Sequence, residues 1–405
     1  MLNRYKAAFA RPGSAAFSGA GFVARFAIAI YPIALVLIVS GRTGEYGFAG
    51  VVSGCYVAGG ALGNPVAGKL VDRLGQHRVL IPFLLGHVAV TVLFATLVTS
   101  HAPLWTLPGP AVGMGFSLLN IGALIRARWS HVWADADGAR ATAYSVESIL
   151  DEVIFVLGPL TATLLATHTH PLVTVGFALA LVGAGSVWLT RQRGTEPPVR
   201  VREAGVHHGF ILQHKGMALI AIVMVFMGAV FGSAEVTMVA FCGQHGQRAS
   251  AGWVVASFAG GSAIAGIAYG AIHWRQSLLR RFVLSALAFG VLPFLYFAAT
   301  STATLALLTA VVGLGIAPTL IGGFGLVDQI VPTSCLTEGL TWIGTGLSVG
   351  FGAGAAVVGG IADAHGARVA FWVPVACALT AAAFAVALAR QMSDRSTAVD
   401  AAFVS

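Results

Sequence analysis

The chain has 405 residues, of which 57% are apolar and only 9% charged, with a formal net charge of +8. A soluble protein of this length carries about a quarter charged residues, and the positive charge lies scattered over short segments, not in the stripe that holds nucleic acid. Apolar runs of twenty or more residues match an α-helix crossing about 30 Å of hydrocarbon, and the alternating ten-residue segments of a β-barrel are absent. The expected fold class is an all-α polytopic membrane protein.

Arg4, Lys6 and Arg11 precede the first apolar run. The run from Ala15 to Val39 contains Arg25, is too long for the core of a signal peptide and leads into further spans, so it reads as a retained first helix. Twelve spans are expected, at roughly 16–40, 46–69, 79–99, 103–125, 141–166, 171–190, 217–241, 250–273, 280–300, 302–325, 336–361 and 368–390. Spans nine and ten must turn over the short Thr300-Ser301 gap.

With the N-terminus inside, nearly all Lys and Arg fall in cytoplasmic segments, Arg126 and Arg128 among them. Only Arg42, Arg248 and Arg368 fall outside, and Arg25 lies within a span. This bias follows the positive-inside rule and places both termini in the cytoplasm. Lys is rare, while Ala, Gly and Val abound, which suggests a GC-rich bacterial genome and hence a bacterial cytoplasmic membrane.

Residues 191–216 form the longest polar stretch, with Arg191, Arg193, Arg200, Arg202, His207 and His208. The two histidines lack metal-ligand partners and read as solvated. The stretch divides the chain into an N-terminal six-helix bundle (1–190), a cytoplasmic linker (191–216) and a C-terminal six-helix bundle (217–405). Weak repetition supports two related halves. Gly59-Gly60 recurs as Gly260-Gly261, and Arg140-Ala-Thr-Ala aligns with Glu338-Gly-Leu-Thr. Gly346, Gly350 and Gly354 recur every four residues, as close helix packing requires.

Ionisable groups inside spans are costly, so each is a candidate functional group. Arg25 lies in span one, Asp151 and Glu152 in span five, and Glu235 in span seven; Glu147 lies nearer the cytoplasmic end of span five. At 1.5 Å per residue, Arg25 and Glu152 sit about 14 and 17 Å from the cytoplasmic face. Should spans one and five be neighbours, Arg25 would pair with Asp151 or Glu152, leaving the other acid to carry a proton. The partners of Glu147, Asp151 and Glu152 at the 198-residue offset are Thr345, Val349 and Gly350, so the second half does not repeat the cluster. Cys55, Cys242, Cys335 and Cys377 have no disulfide or metal spacing. No catalytic constellation, metal site or cofactor motif stands out, and an enzyme is not expected.

The densest charge lies between spans two and three, in Gly68-Lys-Leu-Val-Asp72-Arg73-Leu-Gly75-Gln-His-Arg78-Val-Leu80. This segment, with twelve spans in two halves and a basic central loop, resembles the major facilitator superfamily and its motif G-x-L-x-D-R-x-G-R-K-x-x-L. Gln76 and His77 replace the two basic residues. The resemblance implies that Gly68, Asp72, Arg73, Gly75 and Arg78 form a conformational latch on neighbouring helix ends. Val156-Leu-Gly158-Pro159 is similar to the core of the family's antiporter motif, with Thr161-Ala162-Thr163 in place of its final glycines. Gly158 and Pro159 are expected to bend the helix. The family's cavity rule points to Tyr31, Met114, Phe116 and Asn120 on spans one and four, and to Glu235 on span seven. Such a lining suits an apolar or amphiphilic substrate.

The expected function is secondary transport of a small organic molecule across the lipid bilayer by a monomer, with protons as the coupling ion and efflux by antiport as the mode. Uptake by symport is the alternative. A non-transporting membrane sensor or enzyme on the same fold is a further one.

Overall fold

In the computed structural model, the described residues are 2–43, 46–199, 211–214, 216–247, 250–272 and 274–402. They form α-helices and short 3-10 turns, and no strand occurs among them. The linker residues Arg200, Arg202, His207 and His208 lie outside the described residues, as does Arg248.

The first half comprises α1 (Leu2–Ala8), α2 (Ser14–Thr43), α3 (Tyr46–Leu74), α4 (Gln76–Thr99), α5 (Pro108–Ser117), α6 (Ile121–Val132), α7 (Asp137–His168) and α8 (Pro171–Thr190). The second comprises α9 (Met217–Gln244), α10 (Ala251–Ala271), α11 (Leu278–Val291), α12 (Thr302–Gly313), α13 (Ile316–Ile330), α14 (Leu336–His365), α15 (Ala367–Ala370) and α16 (Trp372–Ala402). Among the described residues, 11 helical stretches are long and apolar enough to cross a membrane. The further long helix is α3, with 29 residues; its many glycines lower its mean hydropathy without shortening it. Each expected span therefore has a helix.

Two spans differ from expectation. Span four is two helices, α5 and α6, separated at Leu118–Asn120, and span ten is α12 and α13, separated at Leu314–Gly315. A break in lipid must satisfy its own backbone groups. Leu118 N–H still bonds Met114 O, and Asn120 Oδ1 accepts from Ala123 N–H at 3.1 Å, capping α6. Span four also runs further than the sequence suggests. Arg126 and Arg128 are not loop residues; they are buried on α6. They can be buried because their guanidiniums find bonding partners inside the fold.

The chain forms two compact units. Unit 1 holds Met1–Ala143, Leu150–Glu203 and Ser334–Thr345; unit 2 holds Tyr144–Ile149, Ala204–Thr333 and Gly346–Ser405. Tyr31, Leu35, Phe94, Met114 and Val175 lie in the core of unit 1. Met238, Phe241, Tyr296 and Phe371 lie in that of unit 2.

Lipid is as apolar as leucine, so membrane helices associate through close packing, not through escape from water. Glycine supplies the closeness. A Cβ on Gly59 or Gly63 of α3 would strike the backbone of Val112 or Phe116, and one on Gly115 of α5 would strike Tyr56. Unit 2 repeats the device: Gly261 of α10 meets Ala310, and Gly313 of α12 meets Phe258. The four-residue glycine repeat of α14 works the same way, with Gly350 on Val225 and Gly354 on Ala229 of α9. Overpacking costs about 1–3 kcal/mol even where side chains can yield, and backbone yields less. Gly115→Ala is therefore expected to lower the thermal melting point and the monodisperse yield in detergent. Gly54→Ala, with no heavy atom within 4 Å of the added Cβ, should leave both unchanged.

Candidate functional site

The segment Gly68–Leu80 joins α3 to α4. Gly75 has φ +91°, a left-handed conformation suited to glycine, and it turns the chain directly into α4. Just before the turn, the Asp72 carboxylate accepts from Thr337 N–H at 3.0 Å and Glu338 N–H at 2.8 Å. These belong to the first turn of α14, whose N–H groups lack helical partners and carry partial positive charge. Asp72 thus caps a helix distant in sequence. Gly68, one turn earlier, permits the approach, because a Cβ there would press on the Glu338 backbone and the Thr341 hydroxyl. Arg73 and Arg78 are exposed and bond to no described residue. The contact rests on the acid and the glycine.

The two departures from the motif also have physical reasons. Gln76 Oε1 accepts from Arg128 Nε at 2.7 Å while its Nε2 donates to Leu124 O at 3.1 Å. A basic residue there would face a buried guanidinium. Arg128 also donates to Leu189 O, Gln192 O and the Thr195 hydroxyl, closing the C-terminal end of α8. At His77, the backbone N–H and ring Nδ1 both meet the Glu196 carboxylate, at 3.1 and 3.0 Å.

The intramembrane charges converge on one carboxylate. Arg25 Nη1 of α2 donates to Asp151 Oδ1 at 2.6 Å, and Arg126 Nη2 of α6 donates to Asp151 Oδ2 at 2.8 Å. Both arginine side chains are buried, whereas that of Asp151 is 29% exposed. Asp151 is one of the two acids expected to meet Arg25, and Arg126 bonds its other oxygen. Glu152, next along α7, is partly exposed; Glu147, one turn before Asp151, is fully buried. Glu235 is exposed on α9 and bonds to no described residue.

His87 of α4 is a polar group that the sequence reading passed over. It is fully buried, with Nε2 2.9 Å from the Tyr31 hydroxyl and Nδ1 3.1 Å from Met114 O. A carbonyl only accepts, so Nδ1 carries the proton of a neutral ring, and Nε2 accepts from the Tyr31 O–H. Ser117, whose hydroxyl donates to Gly113 O, lies 3.2 Å from the same Nδ1. The ring therefore ties α2 and α4 to the end of α5, where span four breaks. The signal was available: the cost that flags carboxylates within a span also flags histidine.

Tyr31 and Met114 are thus fully buried parts of a polar-and-core junction. Phe116 is 40% exposed and Asn120 is half-buried at the helix break. Gly158 lies against Ala29 of α2, and α7 continues as helix through Pro159. No group of three or more potential metal ligands occurs among the described residues.

A family model described as Major Facilitator Superfamily matches residues 17–246, more than half of the chain. The chain belongs to that superfamily. No curated protein sequence matches it. Among solved structures, the human organic anion transporter MFSD10 (TETRAN) is similar with TM-score 0.71 and 16% identity, covering 93% of this chain and 100% of that one. A bacterial homologue of the iron transporter ferroportin, in an outward-facing state, gives TM-score 0.73 at 13% identity, covering 94% and 99%. The fucose:proton symporter FucP of E. coli (N162A) gives 0.68 at 12%, covering 93% and 98%. Identities this low establish the fold: an all-α superfamily transporter fold in a multi-pass membrane protein.

The superfamily fold makes the Asp72 cap testable as a structural element. Loss of a helix cap costs about 0.5–2 kcal/mol. Asp72→Ala is expected to lower the melting point and to speed hydrogen exchange at the Thr337 and Glu338 amides. Asp72→Asn, which keeps one acceptor, should fall between Ala and wild type. The triad offers a second test. Removing one partner of a buried pair costs about 3–5 kcal/mol, so Asp151→Asn should destabilise the protein more than Asp72→Ala in the same melt.

Proposed function

We propose that this protein is a secondary active transporter that moves a small organic molecule across the bacterial cytoplasmic membrane by alternating access. Its mode is proton-coupled efflux, with the protein acting as a monomer and both termini in the cytoplasm. The observation that carries this reading is the Arg25–Asp151–Arg126 cluster, with Glu147 and Glu152 on the adjoining turns of α7. Helices can be cross-linked as well by apolar packing. Charges held at this depth suit a task that packing cannot perform, the response to a proton or to a charged solute.

The roles follow from geometry. A proton arriving on Asp151 must displace two ion pairs, which suits Asp151 to hold α2, α6 and α7 in register. Glu152, next on the helix and partly exposed, is the acid assigned to the coupling proton. Glu147 lies on the same face of α7 one turn away and completes the acidic side of the cluster. Glu235, exposed on α9, is the second candidate for the coupling carboxylate. The break between α5 and α6 offers the substrate a ring at Phe116 and an amide at Asn120, a combination suited to an amphiphilic molecule. Tyr31 and Met114 support this surface from behind. Gly68, Asp72, Gly75 and the exposed Arg73 and Arg78 form the state-dependent latch, with Asp72 its principal contact. Gly158-Pro159 supports the export direction through its likeness to the antiporter motif.

Everted membrane vesicles acidified by respiration test the reading. A panel of small organic anions and lipophilic cations is added, and lumenal pH is followed with acridine orange. Antiport predicts compound-induced alkalinisation of the lumen. Acidification would establish symport instead, and no response across the panel would count against proton coupling. For a responding compound, Glu152→Gln should remove the pH response while binding, read by thermal shift, persists. Retained coupling in Glu152→Gln would reassign the proton to another acid.

A further inference from the structure

Unit 2 contains a cavity of about 380 Å³ at one end of its helices. It is formed by the C-terminal end of α9, the turn before α12 and the junction of α14 with α15. Its lining includes Phe241, Gln244, His245, Thr300, His365 and Arg368. The titratable groups facing it are His245 from α9, His365 from α14 and Arg368 from α15; the turn before α12 contributes the uncharged Ala299 and Thr300. No described carboxylate lines it. Arg248 and the Asp363 side chain, close in sequence, lie outside what is described.

The walls are set for an acceptor-rich ligand. Gln244 Oε1 accepts from Ala367 N–H at 3.4 Å, which ties α9 to α15 and leaves the amide nitrogen as a donor. His245 stacks on Phe241 with ring centroids 4.1 Å apart, and its Nδ1 lies 2.9 Å from Phe241 O. The carbonyl accepts, so Nδ1 holds the proton of the neutral ring. Nε2 then presents a lone pair, which repels an anion. A ring that gains a second proton offers Nε2–H as a donor instead. Arg368 supplies a charge that does not titrate, in a fork that matches oxyanions.

We propose that this cavity binds a tetrahedral oxyanion, a phosphate or sulfate group, on Arg368, and that protonation of His245 and His365 tightens the binding. On the orientation proposed above the cavity opens outward. Its protons are held apart from Glu152, so failure of that assignment leaves this site standing.

The test uses the full chain in nanodiscs of neutral phosphatidylcholine. Sulfate, whose charge is constant across the range, is titrated by calorimetry at pH 6 and pH 8. The wild type is expected to bind at pH 6 and about tenfold more weakly at pH 8, the worth of about one charge-assisted hydrogen bond. Arg368→Gln should abolish binding at both pH values, and Arg368→Lys should restore part of it. The double variant His245→Gln, His365→Gln should bind with no pH dependence. Melting curves of all variants confirm folding. A second arm replaces part of the lipid with phosphatidylglycerol. Loss of sulfate binding by the wild type there, with lipid that native mass spectrometry finds retained on the wild type and not on Arg368→Gln, assigns the site to a lipid headgroup; unchanged sulfate binding assigns it to free anions. The proposal is overturned if sulfate fails to bind in neutral lipid and phosphatidylglycerol is not retained. It is also overturned if Arg368→Gln binds like wild type, or if the histidine variant keeps the pH dependence.

Discussion

A backbone in hydrocarbon has no water to bond, and this constraint organises the molecule. Continuous helices satisfy it without help. The interruptions are informative, because each must recruit its own partners. At the break between α5 and α6, Asn120 caps the second helix and His87 reaches the Met114 carbonyl at the end of the first. At the start of α14 the first amides turn to Asp72. At the end of α8 the last carbonyls turn to Arg128. The polar residues of an otherwise apolar chain thus collect where helices stop, and places where helices stop inside a membrane are where backbone can meet a solute.

The same absence of water makes buried charge expensive, which gives the triad its meaning. Asp151 joins Arg25 to Arg126, so three helices share one ionic centre. A change of charge beside it alters the balance for all three helices at once. The Tyr31–His87 hydrogen bond adds a neutral tie from α2 to α4. Both ties begin on α2, which makes α2 the element through which charge at the triad and geometry at the α5–α6 break can influence each other.

The sequence made the helix class, the span positions and the Gly68–Leu80 loop legible, because apolar run length and turn chemistry are local properties. Depth counting, together with the helix arrangement of the resembled family, also placed Arg25 with the acids of α7. Three features were not legible. Span four looked like one helix ending before Arg126, because a helix break in lipid needs only one capping residue such as Asn120 and leaves the apolar run intact. Arg126 and Arg128 looked like loop charges, because adjacency to polar residues mimics a cytoplasmic end; their burial depends on partners within the fold, Asp151 and Gln76 among them. For His87 the polar group within a span was visible but its role was not, because its partners come from α2 and α5, far away in sequence.

The two halves agree in what packing requires and disagree in what it does not. Gly59 with Gly115 and Gly261 with Gly313 hold equivalent helix pairs, since both units must associate without a hydrophobic drive. An offset of 198 residues carries Gly115 onto Gly313. The same offset carries Arg126 onto Phe324, Asp151 onto Val349 and Asn120 onto Pro318. The second break, before α13, has no side-chain cap. The second break is thus built without a side-chain cap, and the ion pairs that join three helices of the first half have no counterpart at the matching positions of the second. Close packing does not require that difference, so the positions where the halves differ, and not the glycines they share, are where a task beyond holding helices together is to be sought.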